Sequence, residues 1–213
     1  MRFASCDRSD MKDAAAQGET ITLTRRFTPA QAKKRAEARR AASELASASG
    51  YEAVTMTAVA QRIGVSRATM YQYFASRDQL LAEIMVEWTD RINDDLRRNP
   101  PRGTTPAERV GEAFERIMQL CARNRKLTSA LLFAATSSDP AATEAFPSWS
   151  RPVEVYLTTL LGDDQVPNLE EIVPVLYHVL FSALIAMTHR GQKPSEAARV
   201  LRTTAQLLLG RGA

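Results

Sequence analysis

Residues 54–74 read VTMTAVAQRIGVSRATMYQYF, and the fold prediction begins here. Thr55 can cap a short helix by accepting a hydrogen bond from its first turn, and Ser66 can cap a second helix in the same way. Between them, Gly64 permits the positive φ that a tight turn between two helices requires. Apolar side chains recur at helical spacing on both sides of this turn. The stretch therefore predicts a helix-turn-helix.

The second helix of this motif presents an outward face that combines an arginine, a threonine, a glutamine and two tyrosines. These residues are Arg67, Thr69, Tyr71, Gln72 and Tyr73. Tyrosine rings can pack on thymine methyls or sugars, whereas hydroxyl and guanidinium groups can reach phosphates and base edges. This composition indicates that the helix docks in a groove of double-stranded DNA.

Charge is concentrated around the motif. Residues 21–80 contain ten Lys/Arg and four Asp/Glu, a balance of +6, although the whole chain carries only +4. Such asymmetry is typical of a basic nucleic-acid-binding module joined to a neutral one. The run Lys33, Lys34 and Arg35 is expected to contact phosphates, and the alternative is an ordinary solvated helix face.

The motif and its flanks also resemble a known family. The residues that carry the resemblance are Gly50-Tyr51-Glu52-Ala53, Thr55–Ala60, Gly64-Val65-Ser66, Thr69–Phe74, Ser76 and Leu80-Leu81. Over about residues 33–85 they look like the signature of TetR-type (tetracycline-repressor-like) transcriptional regulators. The Thr-Met-Tyr-x-Tyr-Phe-x-Ser tail makes the match more specific than a bare helix-turn-helix.

The resemblance implies a set of DNA-contacting positions. They are Thr57, Arg67, Ala68, Thr69, Tyr71, Tyr73 and Arg77, and Gln72 is added because of its expected exposure. Thr69, Tyr73 and Arg77 are expected on phosphates. Thr57, Arg67 and Tyr71 are expected nearer the bases. Position 68 is alanine where the family often has glycine, and the preceding helix is rich in alanine where the family commonly has bulkier residues.

Helix-start signals continue through the chain, and strand patterns are nearly absent. The sequence predicts an all-α fold with about nine helices, over residues 29–49, 56–63, 67–74, 77–98, 105–122, 125–136, 148–162, 169–189 and 195–209. We interpret residues 1–27 as a disordered tail, 28–76 as the helix-turn-helix DNA-binding domain, and 77–213 as a helical ligand-binding and dimerisation bundle.

The last two predicted helices are too apolar all round to be buried within one small bundle. Leucines 207–209 are expected to point outward on at least one side. A two-fold interface of four helices would cover this surface and would match a palindromic operator. Relatives in the family dimerise through their last two helices, so we expect a homodimer of this kind.

The middle of the bundle combines aromatic residues with apolar ones and a few polar groups. The candidate ligand-binding residues are Phe114, Met118, Leu132, Phe133, Trp149, Tyr156, Tyr177, His178 and Phe181. Each one could equally belong to an ordinary core, but together they are expected to line a cavity for a small hydrophobic or aromatic effector, such as an acyl or steroid-like molecule. Residues 128–135 also resemble a segment of actinobacterial sterol- and lipid-catabolism repressors, which does not identify the ligand.

Several other classes of protein fit the sequence poorly. Only two cysteines and two histidines are present, and His178 and His189 lie too far apart along one helix to share a metal ion, so no metal or cofactor is expected. No nucleophile–base pair indicates an enzyme. No apolar run of 18 residues or secretory leader is recognised, so we expect a cytoplasmic protein without membrane contact. The favoured hypothesis is a ligand-released repressor, and the alternative is a non-sequence-specific DNA-binding protein.

Overall fold

The computed structural model describes residues 27–162 and 166–210, except for the side chains of Phe146 and Trp149. Every regular element in these ranges is helical. The helices are α1 (Pro29–Ser49), α2 (Met56–Ile63), α3 (Arg67–Tyr73), α4 (Arg77–Arg98), α5 (Pro106–Arg123), α6 (Arg125–Ala135), α7 (Pro140–Thr143), α8 (Phe146–Leu161), α9 (Leu169–His189) and α10 (Pro194–Leu209), with a 3-10 turn at Tyr51–Ala53.

The all-α prediction is confirmed. The nine predicted helices correspond to α1–α6 and α8–α10, and their ends agree to within two residues. The four-residue helix α7 was not predicted. Apart from Phe27, the predicted tail over residues 1–27 lies outside the described residues. The predicted domain boundary at residue 76 stays a prediction, and α4, which begins just after it, packs against α1 on one side and against α6 and α8 on the other.

Local hydrogen bonds explain the helix-turn-helix. Thr55 Oγ1 accepts from the backbone N–H of Ala58 at 3.0 Å, and Ser66 Oγ accepts from that of Thr69 at 3.0 Å. Each bond satisfies a donor that the first turn of a helix leaves without an intrahelical partner. Gly64 ends α2 with φ 68° and ψ 41°, the left-handed conformation that the sequence predicts.

Small side chains on α1 determine how the N-terminal unit formed by α1, α2 and α3, here called the head, is packed. Four alanines on this helix, Ala38, Ala41, Ala42 and Ala46, are buried. Because alanine projects only a methyl group, α1 lies close to α2, α4 and α6 at once. The alanine-rich stripe, a departure from the family pattern, is therefore the surface that joins the head to the bundle.

Helix α6 is fastened to the C-terminal end of α1. Asn124 Nδ2 donates to Ser47 Oγ at 2.8 Å, and Lys126 Nζ donates to the carbonyl oxygen of Ala48 at 2.7 Å. A lysine at this position satisfies one of the carbonyl groups that the last turn of a helix leaves open, and its charge is favourable there. Motion of α6 is therefore expected to displace the end of α1.

The bundle is completed by α5, α8, α9 and α10. By length and composition alone, α9 could cross a membrane, although the sequence analysis recognised no such stretch. In the fold it instead packs against α5, α6, α8 and α10, and seven of its residues are buried. Helices α5 and α10 pack closely, because Gly111 has no side chain; a Cβ there would lie 3.2 Å from Arg202 Cγ.

Candidate nucleic-acid interface and interior cavity

The outer face of α3 exposes four of the side chains that the sequence analysis places in contact with DNA. Arg67, Ala68, Tyr71 and Gln72 are exposed, and 46% of Tyr71 is accessible. Arg67 Nη2 donates to Tyr71 Oη at 3.3 Å, and its guanidinium carbon lies 5.5 Å from the centroid of the Tyr71 ring. The two side chains thus form one unit that presents a charge and a ring together.

The expected phosphate-contacting residues lie around the edge of this face. Thr69 is half-buried, and its hydroxyl lies 2.8 Å from Ser66 Oγ at the start of α3. Tyr73 is half-buried at the other end, where its ring meets the ring of Phe27 edge-on with centroids 6.4 Å apart. Thr57, which is expected nearer the bases, is exposed on the first turn of α2.

The basic run at the start of α1 is divided between solvent and internal contacts. Lys33 is exposed, whereas Lys34 Nζ donates to Glu37 at 2.8 Å and to the carbonyl oxygen of Ile63 at 3.1 Å. Arg35 is ion-paired with Glu83 of α4. Phosphate contact by these residues stays a prediction, and Lys33 is the member of the run that is best placed to make it.

Arg35 and its partner also join the head to α4. The Arg35 guanidinium carbon lies 4.7 Å from the ring centroid of Phe74, a buried residue of the helix-turn-helix core. Burial raises the pKa of Glu83, and Arg35 and Arg39 oppose that rise by favouring the charged carboxylate. The ion pair of Arg35 and Glu83 therefore holds α1 against α4 at a surface that is partly shielded from water.

Arg77 lies at the centre of a polar cluster between the head and the bundle. Its Nη2 group donates to Tyr51 Oη at 2.5 Å. Tyr51 Oη–H donates to Asp78 Oδ1 at 2.6 Å, and Ser137 Oγ–H donates to Asp78 Oδ2 at 2.6 Å. Burial, followed by hydrogen bonding to Asp78, raises the pKa of Tyr51 to about 12. We call Tyr51, Arg77, Asp78 and Ser137 the junction cluster.

Sequence reasoning recognised Arg77 and missed the other roles in this cluster. Asp78 is an ordinary first-turn acid in the sequence, and Ser137 lies 59 positions away in a loop. Phe133 extends the cluster, because its ring lies against that of Tyr51, with the centroids 4.3 Å apart and the planes tilted by 40°. The cluster thus connects the turn before α2, the start of α4 and the end of α6.

An apolar cavity lies inside the bundle. Its lining residues are Met85, Trp88, Thr89, Ile92, Asn93, Ile117, Cys121, Thr128, Leu131, Leu132, Val153, Tyr156, Leu157, Tyr177, Leu180, Phe181 and Leu184. The volume of this cavity is only about 60 Å³. The cavity is therefore narrow, and a drug-sized ligand would have to widen it.

The predicted ligand-binding residues divide into two groups. Leu132, Tyr156, Tyr177 and Phe181 line the cavity. Phe114 and Met118 are buried in the core elsewhere, whereas Phe133 and His178 are largely exposed. The side chain of Trp149 lies outside the described residues. Phe114, Met118, Phe133 and His178 do not line this cavity, because neighbouring positions on a helix face different directions, and ligand binding by the predicted residues stays a prediction.

The sequence analysis did not recognise the residues of α4 that line the cavity, and this was its largest omission. Met85, Trp88, Thr89 and Ile92 form a stripe at helical spacing on this helix. The stripe is visible in the sequence, but periodicity alone cannot distinguish a cavity wall from a solid core.

Few polar groups face the cavity. Among the described residues, Tyr156 Oη is buried without a hydrogen-bond partner, and burial raises the pKa of Tyr156 to about 12. Burial likewise raises the pKa of the Cys121 thiol to about 11. Asn93 Nδ2 donates to the carbonyl oxygen of Pro152 at 3.2 Å. These groups suit a neutral, mostly apolar ligand that offers a hydrogen-bond acceptor.

An open groove between α4 and α8 borders the cavity. Asn93 and Tyr156 contribute to both, and Arg97 and Arg151 lie farther out along the groove. The described part of the chain contains no group of three His, Cys, Asp or Glu side chains arranged to hold an ion.

Two family models match the chain in succession. The model described as bacterial regulatory proteins, tetR family, matches residues 39–84, and the model described as tetracyclin repressor-like, C-terminal domain, matches residues 103–208. The first match covers the helix-turn-helix and the start of α4. The second covers most of the bundle.

Curated relatives are similar over most or all of the chain. The HTH-type transcriptional repressor KstR of Rhodococcus jostii (strain RHA1) is 31% identical over 214 aligned residues, covering 100% of this chain and 98% of the relative. KstR of Mycobacterium tuberculosis (strain ATCC 25618 / H37Rv) is 28% identical over 85% of this chain and 83% of the relative.

Solved structures share the fold at lower identity. Thermus thermophilus FadR, a TetR-family repressor in complex with lauroyl-CoA, has a TM-score of 0.68 and 23% identity, over 84% of this chain and 97% of that one. A TetR transcriptional regulator from Rhodococcus sp. RHA1 has a TM-score of 0.67 and 22% identity, over 86% and 100% of the two chains.

Proposed function

Because the chain belongs to the tetR family of bacterial regulatory proteins, we propose that it is a homodimeric transcriptional repressor released from a palindromic operator by a small hydrophobic ligand. The observation that carries this proposal is the position of α6. Thr128, Leu131 and Leu132 of this helix line the cavity, while Asn124 and Lys126 at its other end hold α1. One helix therefore contacts both the cavity and the DNA-reading head.

On operator DNA, α3 occupies the major groove. Arg67, Tyr71 and Gln72 lie on its exposed face and are proposed to contact base edges, together with Thr57 from α2. Thr69 and Tyr73 at the margins, with Lys33 from α1, are proposed to contact phosphates. Ala68 lets the backbone of α3 approach the DNA closely.

Arg77 has a different proposed role. Its guanidinium is held by Tyr51 and lies 3.6 Å from Glu52. It can therefore meet a phosphate only in the orientation that the junction cluster sets. Phosphate contact at Arg77 is proposed to depend on the position of α6, through Ser137 and Asp78.

Two protomers are proposed to join through α9 and α10. Leu176, Leu180 and Leu201 of these helices are buried within the chain's own core. Other apolar side chains of the same helices are exposed instead, among them Val175 and Leu207, which is 63% accessible. A two-fold contact would cover these and place two reading heads on one palindromic operator.

The proposed effector acts by widening the cavity. A void of about 60 Å³ has room for only a few water molecules, so a ligand must separate α4 from α6 or α8. The head is attached to both α4 and α6, and their separation displaces α3. A preference of about 1–3 kcal/mol for the widened state would weaken DNA binding about 5- to 150-fold.

The relatives support this proposal at two levels. The KstR proteins are named as transcriptional repressors, and they are similar to this chain over 100% and 85% of its length. The FadR structure holds lauroyl-CoA, which supports an apolar or acyl-bearing effector in a bundle of this fold. The proposed location of the protein is the cytoplasm, where its operator DNA lies.

A binding experiment tests the repressor proposal. A duplex is selected from a random 40-base-pair pool with the full-length protein, and its affinity is measured by fluorescence anisotropy against unselected DNA. We expect strong preference for the selected duplex, loss of that preference in Tyr71→Ala, and no change in the control Arg102→Ala, whose exposed side chain lies in the loop before α5. Equal binding of both DNAs would favour the alternative, a non-sequence-specific DNA-binding protein.

Effector control is tested with fatty acids, acyl-CoA thioesters, sterols and simple aromatics. A compound that raises the melting temperature of the protein should also weaken its binding to the selected duplex. Leu132→Trp should abolish both effects, because the larger side chain fills the cavity. If no compound weakens DNA binding of the wild type, the release mechanism is wrong.

A further inference from the structure

Three helices meet at the end of the bundle that adjoins the head. Lys126, near the start of α6, donates to the carbonyl oxygen of Ala48, near the end of α1, at 2.7 Å. Ser129 Oγ, one turn further along α6, lies 3.3 Å from Nε2 of His189, the last residue of α9. The start of α6, the end of α1 and the end of α9 therefore lie together. We call this part of the molecule the head-facing end of the bundle.

Basic residues collect at the head-facing end without acidic residues beside them. Residues 117–138 and 172–195, which supply the α6 and α9 contacts, contain five Lys/Arg and no Asp/Glu. Four of the five are exposed and form no ion pair with another residue that the structure describes. These four residues, here called the end patch, are Arg123 and Arg125 where α5 meets α6, and Arg190 and Lys193 in the loop between α9 and α10.

The surroundings of the end patch leave its charge largely uncompensated. The nearest acidic residue along the sequence is Glu196, whose carboxylate accepts from the backbone N–H of Lys193 at 3.4 Å. Elsewhere on the bundle an exposed arginine has a carboxylate partner, as Arg202 has in Glu115 at 2.6 Å. Several unpaired charges of one sign at one place are typical of a surface that binds an anionic partner.

The position of the end patch indicates which anion it meets. The turn at Tyr51–Ala53 joins the end of α1 to α2, and Thr57 on the first turn of α2 is proposed to contact DNA. In the proposed dimer, α9 and α10 form the two-fold contact, so the loop that carries Arg190 and Lys193 lies near the axis, between the two heads. The DNA nearest to this loop is the spacer that separates the two half-sites of the operator.

We propose that the end patch is a second DNA-binding surface, which contacts the backbone phosphates of this spacer. The inference rests on the proposed operator binding and on the proposed dimer. Arginine suits this role, because its guanidinium group can bind a phosphate through two parallel hydrogen bonds. The bundle then adds salt-dependent affinity without sequence preference, while α3 reads the bases.

The test uses the full-length protein and the duplex selected by the wild type. Dissociation constants are measured between 50 and 200 mM KCl for the wild type, Arg123→Ala/Arg125→Ala and Arg190→Ala/Lys193→Ala. Each measurement is repeated on a duplex whose spacer phosphates are replaced by neutral methylphosphonates. Melting temperatures and light scattering check folding and oligomeric state. If the loop variant alters the oligomeric state, Arg123→Ala/Arg125→Ala decides the test.

Arg98→Ala/Arg102→Ala is the matched control. It removes the same charge from two exposed arginines, at the C-terminal end of α4 and in the loop that follows. This end of α4 lies about 30 Å from the end that adjoins the head, because each helical residue adds about 1.5 Å. The control therefore changes the net charge of the protein without changing the end patch.

Each double variant of the end patch removes four charges per dimer. If these charges neutralise two to four phosphates, the slope of log affinity against log salt should become shallower by about 1.8–3.6. The affinity ratio between the two salt concentrations should then shrink about 10- to 100-fold, and the control should leave the slope unchanged. The neutral spacer should weaken binding by the wild type and the control equally. It should weaken the end-patch variants much less, because their contact with the spacer is already lost.

Each contrary result has a distinct meaning. Unchanged slopes in both end-patch variants overturn the spacer contact and leave operator binding by α3 intact. An equal change in the control also overturns it, because general charge would then suffice. Shallower slopes with undiminished sensitivity to the neutral spacer would show that the patch does not contact the spacer. If the wild type selects no duplex at all, operator binding and the spacer contact fail together.

Discussion

Asp78 is the acceptor that joins the reading head to the bundle, so its replacement by asparagine tests the junction cluster most directly. In the structure its two carboxylate oxygens accept from Tyr51 and Ser137, both at 2.6 Å. Its side chain is only 16% accessible, and one oxygen lies 3.5 Å from Arg77 Nε. The asparagine side chain would retain the shape of the aspartate, but it would have one acceptor oxygen and no charge.

The expected cost follows from these contacts. Hydrogen bonds to a charged group contribute about 1.5–3 kcal/mol each, against about 1 kcal/mol for neutral pairs. Asp78→Asn weakens two such bonds and the attraction to Arg77, so the free energy of unfolding should fall by about 2–3 kcal/mol. The matched control Asp94→Asn should cost at most about 0.5 kcal/mol, because Asp94 forms an exposed ion pair with Arg97.

Urea unfolding measures both variants, and a double-mutant cycle with Ser137→Ala isolates the link between α4 and the loop after α6. In the wild-type background Ser137→Ala should cost about 1.5–3 kcal/mol, because its hydroxyl donates to a charged carboxylate. In the Asp78→Asn background it should cost much less, because the charge that strengthens the bond is gone. A cost of Asp78→Asn no larger than that of Asp94→Asn, or additive effects in the cycle, would refute this account of the cluster.

The junction cluster should also transmit part of the effector's influence on DNA affinity. With Asp78→Asn, an effector that raises the melting temperature should still bind, because the cavity does not include Asp78. Its effect on DNA affinity should shrink by about fivefold, which corresponds to about 1 kcal/mol of coupling. An unchanged effect on DNA affinity would mean that the signal passes through the contacts of α1 with α6 alone.

Three other features of the structure have measurable consequences. Gly64→Ala should lower the free energy of unfolding by about 1–2 kcal/mol, because φ is 68° and the new Cβ meets nothing within 4 Å, so the cost is backbone strain alone. Gly64→Asn should cost less in the same urea experiment, and equal costs would contradict the strain argument. Phe133→Ala should leave effector binding unchanged, as measured by thermal shift, but should weaken the effector's influence on DNA affinity, because the Phe133 ring packs against Tyr51 outside the cavity. Loss of the thermal shift would contradict this. The pKa of Tyr51 is raised from its ordinary value of 10 to about 12, so its neutral phenol adds stability that is fully present below pH 10 and is lost as pH rises towards 12. The melting temperature should fall over this range, and less steeply in Tyr51→Phe; an identical fall would exclude Tyr51 as a contributor.

Much of the fold could be predicted from the sequence, because the signals are local. The hydroxyls of Thr55 and Ser66 accept from backbone N–H groups three residues further on. Gly64 adopts its positive φ because it has no side chain. Helical periodicity likewise spans only a few positions, so helix ends were correct to within two residues. The exposed face of α3 follows from the same periodicity. These features need no knowledge of the rest of the chain.

The interior and the junction could not be predicted in the same way. Leu132 lines the cavity while its neighbour Phe133 is largely exposed, and both are apolar. Arg35 has the same charge as Lys33, but Glu83, 48 positions away, turns it inward. In each case the direction in which the side chain faces depends on how helices that are distant in sequence pack against each other. Residue type and spacing do not specify that packing.

The helices, the turn between α2 and α3, and the chemistry of the reading face therefore follow from the amino-acid sequence, because hydrogen bonds and side-chain spacing within a few residues produce them. The cavity wall on α4, the inward turn of Arg35 and the link from Ser137 to Asp78 exist only in the folded chain. Each brings together side chains from separate helices, and their positions result from close packing over the whole bundle.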